Sequence, residues 1–177
     1  MPITLPVSLE QSPAHALGNF PGRGLKVNYE EDILVGYRWF DTRKIAPQFP
    51  FGYGLSYTNF EFGALSTDKA SYGKDEVIKI RFTVKNTGSR YGAEVAQLYV
   101  SYPVATVLRP AKELKAFEKV FLQPGEERLV SLDVKVADLA FYDESKHDWN
   151  IDAGDVILQL GNSSGNISRT LRITANN

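Results

Sequence analysis

Hydrophobic and polar positions alternate most regularly over residues 76–85, where Ile78, Ile80, Phe82 and Val84 fall on one face and Lys79, Arg81, Thr83 and Lys85 on the other. A period of two predicts a half-buried β-strand. Asn86, Thr87 and Gly88 end it with residues that tolerate left-handed backbone. The period then recurs. Over 93–102, Ala96, Leu98 and Val100 share one face and Val95 and Tyr99 the other, which predicts a strand nearer the centre of its sheet. Over 113–122, Leu114, Phe117, Val120 and Leu122 are expected inward, and a slip in their spacing predicts a bulge or bend. Val130, Leu132 and Val134 repeat the alternation over 128–134, Val156, Leu158 and Leu160 over 155–160, and Leu171 with Ile173 ends the set.

Six or seven short strands divided by turn residues, with no helix-length period among them, predict an all-β antiparallel sandwich of immunoglobulin type. Residues 136–142 predict one helical turn across the sandwich end, with Leu139 and Phe141 inward. The polar stretch 143–152 contains Trp149, whose indole is expected to plug the open end of the core. The functional alternative for Trp149 is a platform on which a sugar ring stacks.

Residues 49–58 break the pattern. Phe49, Phe51, Tyr53 and Tyr57 crowd with Pro50 around Gly52 and Gly54, too apolar for a solvated linker and too interrupted for a strand. This predicts an ordered aromatic buttress between two structural units. Ahead of it, Pro2 and Pro6 among aliphatic residues predict an extended strap, and 12–24 is turn chemistry that builds no core of its own. Residues 33–41 place Ile33, Val35, Tyr37 and Trp39 on one face and Leu34 and Phe40 on the other. As a strand this run requires cover on both faces, from layers absent here or from another chain. A second copy of this chain, pairing through residues 27–41, is one such cover.

Composition narrows the chemistry. The 177 residues suffice for one core plus an extra segment, with 43% hydrophobic and 23% charged residues and a net charge of -1. Acidic and basic residues are interspersed, so no field steers the chain to nucleic acid or to an anionic membrane surface. No apolar run reaches membrane-span length, and the first residues lack a signal-peptide pattern. Without cysteine there is no disulfide, thiol nucleophile or thiolate ligand. His15 and His147 lack companion ligands at metal spacing, so neither metal nor cofactor is expected. Glu30, Glu31 and Asp32 are consecutive acids. Acid–base cleavage of a glycoside needs two carboxyls about 5 to 10 Å apart, and neighbours on an extended chain point in opposite directions. They are read as an acidic turn.

Taken together, several runs resemble glycoside hydrolase family 3. The buttress 49–58 is similar to the segment that opens the fibronectin type III-like domain at the C-terminus of these multidomain β-glucosidases and β-xylosidases. Residues 35–41 resemble the link out of the family's second domain, and Met1 to Leu5 a closing strand of that domain. Arg109-Pro110-Ala111-Lys112-Glu113-Leu114-Lys115-Ala116-Phe117 resembles its Arg-Pro-x-Lys-Glu-Leu-Lys-Gly-Phe run; 138–143 and 161–164 complete the set. The resemblance implies three parts: 1–48, the tail of a missing α/β-sandwich domain and its linker; 49–58, the buttress; and 59–177, a fibronectin type III-like domain. It departs from the family at Val156, where an aromatic often follows the turn glycine, and at Ala116, which replaces glycine and argues against positive φ there. The family's aspartate nucleophile and glutamate acid/base belong to domains upstream, so no catalytic, cofactor or metal residue is carried over. The expected function is a non-catalytic C-terminal piece of an exo-acting β-glycosidase of β-glucosidase type. Its partners would be the parent's catalytic domains, and the parent would be periplasmic or extracellular. The alternative is an independent carbohydrate- or polymer-binding or interaction module.

Overall fold

The computed structural model describes residues 1–22 and 24–176. Eleven strands follow three short helical pieces: a 3-10 turn Leu9–Gln11, α1 (Pro13–Ala16) and α2 (Tyr37–Arg43). The strands are β1 (Phe60–Phe62), β2 (Ser66–Thr67), β3 (Ser71–Tyr72), β4 (Val77–Asn86), β5 (Gly92–Ser101), β6 (Glu113–Leu122), β7 (Glu127–Lys135), β8 (Phe141–Asp143), β9 (Asp148–Asn150), β10 (Gly154–Ser163) and β11 (Asn166–Ala175).

Two sheets face each other. In one, β4 pairs with β7 from Val77 to Lys85 and with the short β1 and β2. The other runs β3-β11-β10-β5-β6 and is antiparallel except where β3 joins β11. The alternation read from the sequence is the packing of this sandwich. Ile78, Ile80, Phe82 and Val84 meet Ala96, Leu98 and Val100, with Val130, Leu132, Val134, Val156, Leu158 and Leu160, in one buried cluster. Phe62 adds an edge contact to Phe82 at 6.3 Å. Leu139, on the 3-10 turn Val136–Leu139, and Phe141 are buried across one end, as the sequence predicts.

The bulge in β6 is present. Ala116 opposes Leu98 but Leu114 opposes Tyr99, so Lys115 is the extra residue. It lies before Phe117, which therefore stays on the face opposite Val120 and Leu122 and is exposed, a correction to the inward placement. Asn86 is no left-handed turn residue. It is buried, its Oδ1 accepting from Thr58 Oγ1 at 2.6 Å and from the Gly88 amide at 3.1 Å. Its Nδ2 donates to the carbonyls of Arg90 and Leu122 at 2.7 and 3.1 Å. Trp149 does not plug the core; it stands on the β8–β9 hairpin, 69% exposed. A hairpin of three-residue strands reaches past the sandwich end, and Leu139 and Phe141 already close it.

The largest correction concerns residues 33–41, which form no strand. Gly36, with φ 59° and ψ -133°, turns the chain into α2, and Lys44 ends it in left-handed geometry. The run 33–40 is apolar at every position but Gly36 and Arg38, so it fits a helical face as well as a strand, and a run this short does not separate the two by period. Trp39 and Phe40 pack with Leu34, Leu17 and Ile45 in a small second cluster, so residues 1–48 do hold a core of their own. Ile33 and Val35 stay exposed. In the buttress, Phe49 and Tyr53 stack at 5.1 Å, whereas Leu55 and Tyr57 point into solvent.

Candidate functional site

The densest polar geometry lies where residues 37–53 meet the outer face of the five-stranded sheet. On β5, Gln97 and Tyr99 face away from the core yet are buried. Tyr99 donates its hydroxyl to Gln97 Oε1 at 2.6 Å; Gln97 Nε2 donates to the Asn162 carbonyl at 2.6 Å and to the Gly52 carbonyl at 3.4 Å. The Tyr37 ring fills the space above, 5.0 Å from Phe51 and 5.8 Å, edge-on, from Tyr99. Gly52 is required here: its φ is 83°, and a Cβ would lie 2.2 Å from Gln97 Oε1.

Hydrogen bonds then tie the segment to the sandwich backbone. The Leu114 amide donates to the Tyr37 hydroxyl at 2.8 Å, the Ala111 amide to Thr42 Oγ1 at 2.9 Å, and the Ser164 amide to the Phe51 carbonyl at 2.8 Å. Lys112 lies 3.5 Å from Asp41 and donates to the Ser164 carbonyl. Burial pushes the Asp41 carboxyl above the ordinary carboxylate value, and the Lys112 ammonium opposes that shift. Burial likewise raises the Tyr99 phenol well above its ordinary range.

The run 109–117 explains itself in this geometry. The Arg109 guanidinium lies 4.2 Å over the Tyr102 ring and donates to the Leu139 carbonyl at 2.6 Å. Glu113 gathers Lys115 at 3.2 Å, Arg109 at 3.6 Å and Arg38 of α2 at 3.9 Å. Lys115 also donates to the Asp138 carbonyl at 2.7 Å. These are structural pairings: three cations surround one buried carboxylate, which would be costly to bury alone.

Acidic side chains outside this seam have settings of their own. Asp143 is committed to Ser145, which donates to it from backbone and hydroxyl and holds its pKa below the usual range. Asp32 sits in a left-handed turn on the strap, and Glu30 beside it is exposed. Among the described residues no group of three or more His, Asp and Glu side chains converges as metal ligands would. Sequence reasoning missed Tyr37, Asp41, Gln97 and Tyr99 as one unit. The available signal was Gln97, a polar residue within the apolar run 95–100.

A fibronectin type III-like domain profile matches residues 94–164. Over 164 residues the chain is 44% identical to the thermostable β-glucosidase B of Acetivibrio thermocellus, covering 93% of this chain and 22% of that protein. It is 43% identical to β-glucosidase BoGH3A of Bacteroides ovatus, covering 97% of this chain and 23% of that one. The crystal structure of a Bifidobacterium adolescentis GH3 β-glucosidase superposes with a TM-score of 0.89 at 35% identity, over 98% of this chain and 25% of that chain. The chain thus spans less than a quarter of the length of the curated relatives it matches. The domain profile and the matches over nearly the whole chain lead to one assignment: the chain belongs with the glycoside hydrolase family 3 enzymes, as their C-terminal region containing the fibronectin type III-like domain.

Proposed function

We propose that this chain is the non-catalytic supporting part of an exo-acting β-glycosidase of β-glucosidase type, and that its role is to hold the catalytic domains in register. The observation that carries this reading is the seam. Residues 37–53, which lead into the sandwich, are fixed to it by Tyr37, Asp41, Thr42 and Phe51 rather than joined by a flexible linker. A rigid junction transmits the position of one unit to the next; a mobile linker does not.

The test is a chimera in which this chain replaces the matching region of the Acetivibrio thermocellus enzyme. The isolated chain should not turn over an aryl glucoside, and the chimera should. Breaking the seam with Tyr37→Ala and Lys112→Ala together should shorten the chimera's half-life on heating. Turnover by the isolated chain, or an unchanged half-life in the seam variant, contradicts the reading. The exposed Trp149 favours a second reading, an independent carbohydrate-binding module; it requires that the isolated chain retain a labelled oligosaccharide.

A further inference from the structure

Where residues 52–60 face the first residues of β5 and the last of β10 lies a cleft of about 470 Å³ with mostly polar walls. Asn59, Glu94, Lys119 and Asn162 line it, together with the Phe60 ring. At Gly52 and Val95, which line both, it adjoins an apolar space of about 270 Å³ over the outer face of β5 and β6, walled by Phe51, Leu114 and Phe117. Glu94 is half-buried and Lys119 exposed, and neither has an ion-pair partner among the described residues. The Glu94 carboxylate accepts from the Val95 amide at 2.9 Å and from Asn162 Nδ2 at 3.3 Å, which leaves about two of its acceptor positions unclaimed. The Lys119 ammonium lies 5.2 Å over the Phe121 ring, its donors unused by any carboxylate. The apolar space is the reverse. Its polar side chain, Gln97, already accepts from the Tyr99 hydroxyl and donates to the Gly52 and Asn162 carbonyls.

We propose that the two spaces form one non-catalytic site for a small neutral glycoside with an apolar aglycone, its sugar hydroxyls against Glu94, Lys119 and Asn162 and its aglycone ring beside Val95, Leu114 and Phe117. Three observations select that ligand. The polar half offers an acceptor of one charge and a donor of the other, and a hydroxyl both donates and accepts; an ionic ligand would bring its charge against a like one. The apolar half offers no free hydrogen-bonding side chain, and a polar group placed there would lose its water without a partner. The sizes agree with this division: a cavity of about 150 Å³ already takes a benzene ring, and small-ligand clefts start at about 300 Å³. A free sugar would leave the apolar half empty, and a hydrocarbon the polar half. Trp149 lines neither space, so this site is separate from a sugar platform on the β8–β9 hairpin. It goes beyond the supporting role, which rests on the seam.

The test is amide NMR of the isotope-labelled chain, titrated with phenyl β-glucoside and, separately, with glucose and with phenol. The glycoside should move the amides of Glu94, Lys119 and Asn162 together with those of Leu114 and Phe117. Glucose should move only the first group and phenol only the second. The glycoside should bind about tenfold or more tightly than either fragment, because joining them makes the second contact intramolecular. Lys119→Ala should weaken the glycoside and glucose about two- to tenfold and leave phenol unchanged. Phe117→Ser should weaken the glycoside and phenol and leave glucose unchanged. Both side chains are exposed, so the melting temperature should hold in each variant. A glycoside that gives no saturable shift, binds no more tightly than phenol, or moves Tyr142 and Trp149 instead overturns the site, as does a folded Lys119→Ala chain that binds it unchanged. Each of those outcomes leaves the supporting role standing, since that is read from the chimera. Release of phenol from the glycoside by the isolated chain would contradict the supporting role instead.

Discussion

Gly52 is the sharpest place to perturb the seam. An alanine there must hold a φ of 83°, which costs about 1 to 2 kcal/mol for a residue with a Cβ. Its Cβ would also stand 2.2 Å from Gln97 Oε1. A free glutamine would swing aside, but this one is held by the Tyr99 hydroxyl and the Asn162 carbonyl, both at 2.6 Å. Displacing it forfeits two hydrogen bonds worth about 0.5 to 1.5 kcal/mol each. Gly52→Ala should therefore destabilise the chain by about 2 to 5 kcal/mol in urea denaturation. Gly54→Ala is the control: φ is not positive there, no atom lies within 4 Å of its Cβ site, and little should change. In a Gln97→Ala background the clash is gone, so Gly52→Ala should cost only the backbone strain, about 1 to 2 kcal/mol. Equal stabilities for the Gly52 and Gly54 variants, or strict additivity of the Gly52 and Gln97 changes, would refute the geometry of the seam.

Other expectations concern the core, the strap and pH. Phe82→Ala removes a buried ring and should cost about 3 to 5 kcal/mol, whereas Lys79→Ala on the outer face should stay within about 0.5 kcal/mol; similar urea midpoints would refute the register of β4. Limited chymotrypsin digestion should cut at exposed Leu25 or Tyr29 and leave a resistant product that begins before Tyr37; a product starting near Phe49 would mean that α2 is not docked. Asp41 binds its proton more tightly folded than unfolded, so its contribution favours the folded state at low pH and is lost as pH rises from the unfolded value of 3.8 through the raised folded one. Asp41→Asn should flatten the pH dependence of the urea midpoint just above 3.8, and an unchanged profile would contradict the burial of that carboxyl.

The sandwich was legible because its information is local. In β4, β7 and β10 the side chains that build the core lie two residues apart, and the period survives any choice of partner strand. The seam was illegible for the opposite reason. Tyr37 and Leu114, Asp41 and Lys112, Phe51 and Ser164 meet across long stretches of chain, and nothing within either member of a pair announces the other. Residues 33–41 misled because alternation and a helical face are hard to tell apart over so short an apolar run; the deciding features are Gly36 within it, which turns the chain into α2, and the left-handed Lys44 after it. Trp149 misled through composition alone. Large rings are usually covered, and a sequence does not reveal whether the cover lies in the same domain.

Amide hydrogen exchange on the isolated chain bears most directly on the claim that residues 37–53 and the sandwich form one unit. The amides of Ala111, Leu114 and Ser164 donate into that segment. They should exchange as slowly as amides at the centre of the sandwich, and Tyr37→Ala should release the Leu114 and Ser164 amides while leaving the β4–β7 ladder protected. Exchange of all three at the rate of an unfolded chain, with that ladder intact, would contradict the claim: the preceding segment would then be a flexible tether and the sandwich a module independent of it.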